Sequence, residues 1–102
     1  MLDREFFLGF IKIHILYHAT KGTISGVEIA EELNRHGYRM SPGTLYPTLH
    51  RLEKDGYLKR NTQVVGGKVR KYYAITNKGR KTLEESRRKI GELVDEVLEN
   101  EE

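Results

Sequence analysis

His14 and His18 stand four residues apart, a spacing that places two imidazoles on one helix face within reach of a shared metal ion. No glutamate or third histidine completes a set nearby, so the pair reads as structural or surface histidines and no metal site is assigned. His36 and His50 have no serine or aspartate arranged with them for nucleophilic catalysis. Glu84 and Glu85 are adjacent, and adjacent helical positions do not face each other, so they make no acid/base pair. The chain has no cysteine, which excludes disulfides, thiolate metal sites and thiol nucleophiles. No phosphate-cradling loop or other cofactor motif is present, so neither an enzyme nor a cofactor is expected.

Charge carries more information. The net charge is only +3, but Tyr38 to Arg80 holds ten Lys/Arg against Glu53 and Asp55. That block is +8, which leaves −5 for the rest of the chain. A segregated basic block is the footprint of a polyanion binder, although a solvated basic face would read the same from charge alone. No apolar run approaches the ~20 residues of a membrane span. Met1-Leu2-Asp3-Arg4-Glu5 puts acid before the apolar stretch and lacks a small-residue cleavage site, unlike a signal peptide. A single domain of 102 residues, working in the cytoplasm, is the expectation.

Four helices and a hairpin must position those charges. Asp3 to Thr20 predicts a helix, with Phe6, Phe7, Phe10, Ile11, Ile13, Leu16 and Tyr17 at helical spacing. Leu8 and Ile15 fall outside that stripe, and so wide an apolar arc suggests core on one side and a subunit contact on the other. Ser25 with Glu28 is a capping-box pattern opening a second helix to His36, with Val27, Ile29, Ala30 and Leu33 turned inward. Ser41-Pro42 starts a third helix running to about Asp55, buried through Leu45, Leu49 and Leu52. Tyr57–Val65 and Lys68–Ile75 predict two strands around a Gly66-Gly67 turn. Thr76 or Asn77 caps a last helix to about Leu98, with a sparse seam of Leu83, Ile90, Val94 and Val97 and with Leu93 and Leu98 alongside. The acidic residues at its end favour fraying, because negative charge opposes the helix dipole there.

The order α-α-α-β-β-α gives a mainly α fold with a small β-hairpin, a winged helix-turn-helix. Residues Met1–Thr76 form that unit, and Asn77–Glu102 form a C-terminal dimerisation helix. The third helix can enter a DNA major groove, presenting Thr44, Tyr46, Pro47, Thr48, His50, Arg51 and Lys54. The backbone N–H groups of Gly43 and Thr44 beside Ser41 can meet a phosphate. The hairpin tip, Gly66 and Gly67, with Lys68, Arg70 and Lys71 behind it, can follow the sugar-phosphate backbone, and Lys59 and Arg60 extend the band.

The run Ser41-Pro42-Gly43-Thr44-Leu45-Tyr46-Pro47 and its continuation to Leu58 closely resembles the recognition segment of PadR-type transcription regulators. Gly66-Gly67-Lys68-Val69-Arg70-Lys71-Tyr72-Tyr73 resembles the wing of that family, and Gly26-Val27-Glu28-Ile29 its second-helix opening. The resemblance implies a homodimer bound to double-stranded DNA at a palindromic operator, usually as a repressor. It also implies a subunit interface of the first and last helices, here Phe6, Phe7, Phe10, Tyr17, Leu83, Ile90, Val94 and Val97. With one C-terminal helix after Asn77, the chain resembles the short branch of the family. Some short relatives stack flat drugs between interface tryptophans; this chain has no Trp, but the three Phe and Tyr17 can line a cleft for an apolar small-molecule effector. A winged helix can instead bind proteins through the same surfaces, which is the competing reading.

Overall fold

The computed structural model describes residues 2–99. Helix α1 (Leu2–Ala19) leads to a two-residue strand β1 (Ile24–Ser25) and helix α2 (Gly26–Arg35). Helix α3 (Pro42–Lys54) follows, then strands β2 (Leu58–Val65) and β3 (Lys68–Ile75), then helix α4 (Asn77–Val94). A single π-helical turn, Asp95–Glu99, continues α4. The expected end at Leu98 thus holds for the path of the chain but not for its winding. The acidic Glu101 and Glu102, expected to fray, lie outside the described residues.

The two helices of the helix-turn-helix are closed at their ends by local hydrogen bonds. Ser25 Oγ accepts from the Glu28 N–H at 3.1 Å, and Glu28 Oε1 accepts from the Ser25 N–H at 2.9 Å. This is the reciprocal capping box that the Ser25/Glu28 spacing predicts. At the other end, the N–H groups of Gly37 and Tyr38 donate to the carbonyls of Asn34 and Leu33. Helix α3 ends identically, with Gly56 and Tyr57 donating to Glu53 and Leu52. Both are Schellman closures, which satisfy carbonyls that would otherwise be orphaned.

Strand β1 has no counterpart in the elements the sequence predicts. Its two residues pair antiparallel with β3, Ile24 opposite Tyr73 and Ser25 opposite Tyr72, giving the sheet order β1-β3-β2. A two-residue strand has no periodicity to detect, and only its pairing with β3 makes it a strand. The β2–β3 hairpin runs in register from Leu58/Ile75 to Val65/Lys68. Gly66 and Gly67 have φ of +58° and +79°. Positive φ at both central residues is what a two-residue turn needs to match the right-handed twist of its strands. Only the hairpin's root is buried, through Leu58 and Tyr73; from Lys59 to Lys71 both faces are exposed, so it projects as a wing.

One core unites the elements: Ile11, Ile15, Leu16 and Ala19 of α1, Ile29 and Leu33 of α2, and Leu45, Leu49 and Leu52 of α3. Leu58, Tyr73 and Leu83 complete it. Three expectations need correction. Ile15, placed outside the main stripe of α1, is fully buried, while the Phe-rich stripe lies outside. Val27, expected inside, is 52% exposed beside the wing. Leu83, assigned to the subunit seam, packs within the chain's own core. In each case the helical pattern set which residues share a face, but not which face the neighbouring elements cover.

The molecule is elongated, 59 × 28 × 23 Å, with a radius of gyration of 15.1 Å. A compact chain of this length would have about 13 Å. The excess comes with apolar surface left outside: Phe6 is 58% exposed and Leu98 70%, with Phe7, Phe10, Tyr17, Ile90, Leu93 and Val97 also exposed. Phe6 and Phe10 pack against each other, ring centroids 5.0 Å apart. No helix among the described residues is long and apolar enough to cross a membrane.

Candidate nucleic-acid interface

Helix α3 is buried along Leu45, Leu49 and Leu52, which turns the opposite side outward. Ser41, Gly43, Tyr46, Pro47, His50, Arg51 and Lys54 are exposed, and Thr44 is half-buried. Thr48 is the exception: it was placed on the open face but is buried, its hydroxyl donating to the Thr44 carbonyl at 2.8 Å. It stands three residues after Leu45 and one before Leu49, so it falls at the edge of the buried stripe.

Ser41 takes the N-cap position with extended backbone, but its side chain makes no cap hydrogen bond. Its carbonyl accepts from the N–H groups of Thr44 and Leu45 instead. Of the two expected phosphate donors, Thr44 is therefore already engaged, and Gly43 is the better one. Pro42 at the first helical position has no N–H to offer.

Two clefts flank α3. The first, about 430 Å³, lies between the start of α2 (Ser25, Gly26, Val27), Tyr46 of α3, and Lys68, Val69, Arg70 and Lys71 of β3. Tyr46 leans across Gly26 so closely that a Cβ on that glycine would stand 3.0 Å from its ring. Tyr46 thus packs against the start of α2, where only a glycine leaves room for its ring. The second cleft, about 310 Å³, lies between Arg4, Leu8 and Lys12 of α1 and Gly43, Thr44, Pro47, Thr48 and Arg51 of α3. Cations therefore border α3 on both sides: the wing on one, Arg4 and Lys12 with Arg51 on the other.

His50 and Lys54 line neither cleft, and Gly66 and Gly67 form the free tip. Arg60, expected to extend the basic band, is instead tied to Glu53 at 3.5 Å, which partly neutralises it. Arg4 and Lys12 were missed by the sequence reading. Their signal was weak, two cations on the first helix with Leu8 between them, outside the basic block.

The histidines form a separate cluster on the α1–α2 contact. His14 Nδ1 lies 3.0 Å from the Tyr38 hydroxyl, and the His14 ring stacks on His36 at 4.7 Å between centroids. His18 Nε2 lies 3.9 Å from Glu32 Oε2 and has no hydrogen-bond partner although that atom is buried. No third ligand stands near His14 and His18 in the sequence; the fold brings Glu32 of α2 and His36, the cap residue after it, to His18.

Burial first, then the His36 and His18 rings, lower the His14 pKa. Burial also lowers that of His18, with Glu32 opposing and His36, Lys21 and Arg35 adding to the fall. Both folded values lie below the ordinary 6.5, so below that pH the unfolded chain binds more protons. The stability contribution is full above 6.5 and is lost as pH falls through 6.5 toward the folded values. Thermal unfolding in a chelator is expected at a lower temperature at about pH 5.5 than at about pH 7.5, and the difference should shrink in a His14→Gln/His18→Gln variant. An equal pH dependence in that variant would remove these histidines as its cause.

The model of the "Transcriptional regulator PadR-like family" matches residues 15–85. The "Transcriptional regulator Rv3488" of Mycobacterium tuberculosis is 52% identical over 95 residues, covering 93% of this chain and 89% of that protein. A PadR family transcriptional regulator from Eggerthella lenta superposes with a TM-score of 0.81 at 30% identity, over 94% of this chain and 85% of that one. Bacillus subtilis PadR, solved in complex with operator DNA, superposes with a TM-score of 0.68 at 26% identity, over 74% of this chain and 46% of that one. Family matching, sequence identity and fold agree with the winged helix and its flanked α3: the chain belongs to the PadR-like family of transcriptional regulators.

Proposed function

We propose that this regulator binds double-stranded DNA in a sequence-specific manner as a homodimer and acts in the cytoplasm as a repressor. The observation that carries the reading is the convergence on α3 of cations from three elements: Arg4 and Lys12 of α1, Arg51 of α3 itself, and Lys68, Arg70 and Lys71 of β3. A helix inserted in the major groove has phosphate backbones on both sides, and cations flanking it are placed to neutralise them. Thr44, Tyr46, Pro47 and His50 then face the base edges, while Gly43 and Ser41 meet a phosphate at the start of the helix. That Bacillus subtilis PadR, a relative of the same fold, was solved in complex with operator DNA supports DNA as the partner here.

The exposed apolar residues support the dimer. Phe6, Phe7, Phe10 and Tyr17 of α1, with Ile90 and the half-buried Val94 of α4 and Val97 of the π-helical turn, are what a second copy would cover. A cleft between two such α1 helices suits an apolar small-molecule effector that alters half-site spacing and releases the operator. Leu83 belongs to the core and is not part of that surface.

Selection of bound sequences from random duplexes tests the reading. The expected product is a palindrome whose half-sites lie about one or two helical turns apart. Recovery of no enriched sequence at moderate salt would sink it and favour a protein partner on the same face.

A further inference from the structure

We infer that His18, Glu32 and His36 form a binding site for a divalent transition-metal ion of the zinc class, bridging α1 and α2. Among the described residues, their ligand atoms all lie within 4.8 Å of one another. Tetrahedral coordination at 2.0–2.1 Å separates ligand atoms by about 3.4 Å, so the widest-spaced pair needs to close by at most about 1.4 Å. Two imidazoles and a carboxylate are a borderline-soft donor set suited to zinc, cobalt or nickel rather than calcium or magnesium. Three protein ligands leave a fourth position for water.

Three further features favour a site over chance packing. Glu32 in the last turn of α2 and His36, the cap residue that closes that helix, both bring a ligand atom to His18 of α1. His18 Nε2 is a buried polar atom without a hydrogen-bond partner, which is rare in a folded protein and is explained if the atom is a ligand. His14 holds the arrangement in place: its Nδ1 pairs with the Tyr38 hydroxyl while its ring stacks on His36. That stacking limits how far the His36 ring can turn.

An ion there would fix α2 against α1. Helix α2 carries Gly26 and Val27 into the wing cleft, and α1 carries Arg4 and Lys12 to the other side of α3. Metal occupancy would therefore set the relation between the two flanks of α3. This consequence rests on the DNA-binding reading above; the site itself does not.

The test is titration of the untagged, chelator-stripped protein with Co²⁺ alone, followed by Zn²⁺ competition. One Co²⁺ per chain is expected, with the visible absorption of a tetrahedral site, displaced by Zn²⁺. His36→Gln and Glu32→Gln should each weaken binding by at least about 10-fold. The His36 side chain is exposed, so that variant is expected to unfold like the parent protein in chelator. No saturable Co²⁺ binding, or variants that bind as the parent does, would overturn the site. Duplex affinity with and without Zn²⁺ is read separately. A Zn²⁺ effect lost in His36→Gln supports the coupling, and Zn²⁺ binding with unchanged duplex affinity overturns the coupling alone. Failure to bind any duplex would count against the DNA reading and leave the Co²⁺ titration to judge the site.

Discussion

Replacing Lys68, Arg70 and Lys71 together with alanine is expected to lower duplex affinity on every sequence and to flatten its salt dependence. All three are exposed on the projecting hairpin and border the cleft that Tyr46 shares with α2. Each phosphate neutralised contributes about −0.9 to the slope of log affinity against log salt. Three lost contacts should make the slope shallower by about 3 per protomer and cost roughly 100-fold in affinity at physiological salt. In a dimer with both wings engaged the loss is the product of two such factors. The fold should survive, because the wing is exposed throughout from Lys59 to Lys71. Fluorescence anisotropy across a salt series is the measurement. An unchanged slope would mean that the wing does not touch phosphate. By contrast, changing Thr44 or Tyr46 should alter sequence preference more than overall affinity, because base edges and not phosphates are what those side chains face.

The second large effect concerns stability. Gly79→Ala is expected to destabilise the fold by about 3 kcal/mol. Helix propensity alone favours alanine over glycine in a helix by about 1 kcal/mol, so the tertiary contact must reverse the sign. Gly79 lies in the first turn of α4, where it is buried against the start of the wing. A Cβ there would stand 2.7 Å from Ile75 Cγ1 and press on the Tyr57 carbonyl oxygen. Neither neighbour can easily yield. The Tyr57 carbonyl accepts from the Thr76 N–H at 3.1 Å and from the Thr76 hydroxyl at the same distance. That hydroxyl has a single hydrogen, which it shares with the closer Gly56 carbonyl at 2.6 Å, and it accepts from the Gly79 N–H itself. Lys78 closes the junction by donating to the Asp55 carbonyl at 2.7 Å and lying over the Tyr57 ring. A denaturation midpoint shifted down in urea with an unchanged slope is the expected signature. A midpoint equal to the parent's would show that α4 can tilt away freely.

Much of this was legible in the residues. Ser25 with Glu28, Ser41-Pro42 and Gly66-Gly67 each act within a few residues of chain, so the capping box, the start of α3 and the turn of the wing were readable locally. The bounds of β3 are legible for the same reason, and the segment from Ser41 to Leu58 carries the family resemblance in its residues alone. Burial on α1 and the fate of Thr48 were not legible. Each depended on where a neighbouring element stops covering a helix, and no local pattern encodes that.

The opening pair of histidines shows the same division. Sequence by itself determined that His14 and His18 share a helix face, that the basic block lies between Tyr38 and Arg80, and that a winged helix would present it. Only the tertiary structure decided that Glu32 and His36 complete a cluster with His18, and that Arg4 and Lys12 stand beside α3. Spacing along a helix is set by backbone hydrogen bonds over four residues. Convergence across helices is set by packing of the shared core, where Ile11 and Ile15 of α1 meet Ile29 and Leu33 of α2 and Leu45 and Leu49 of α3.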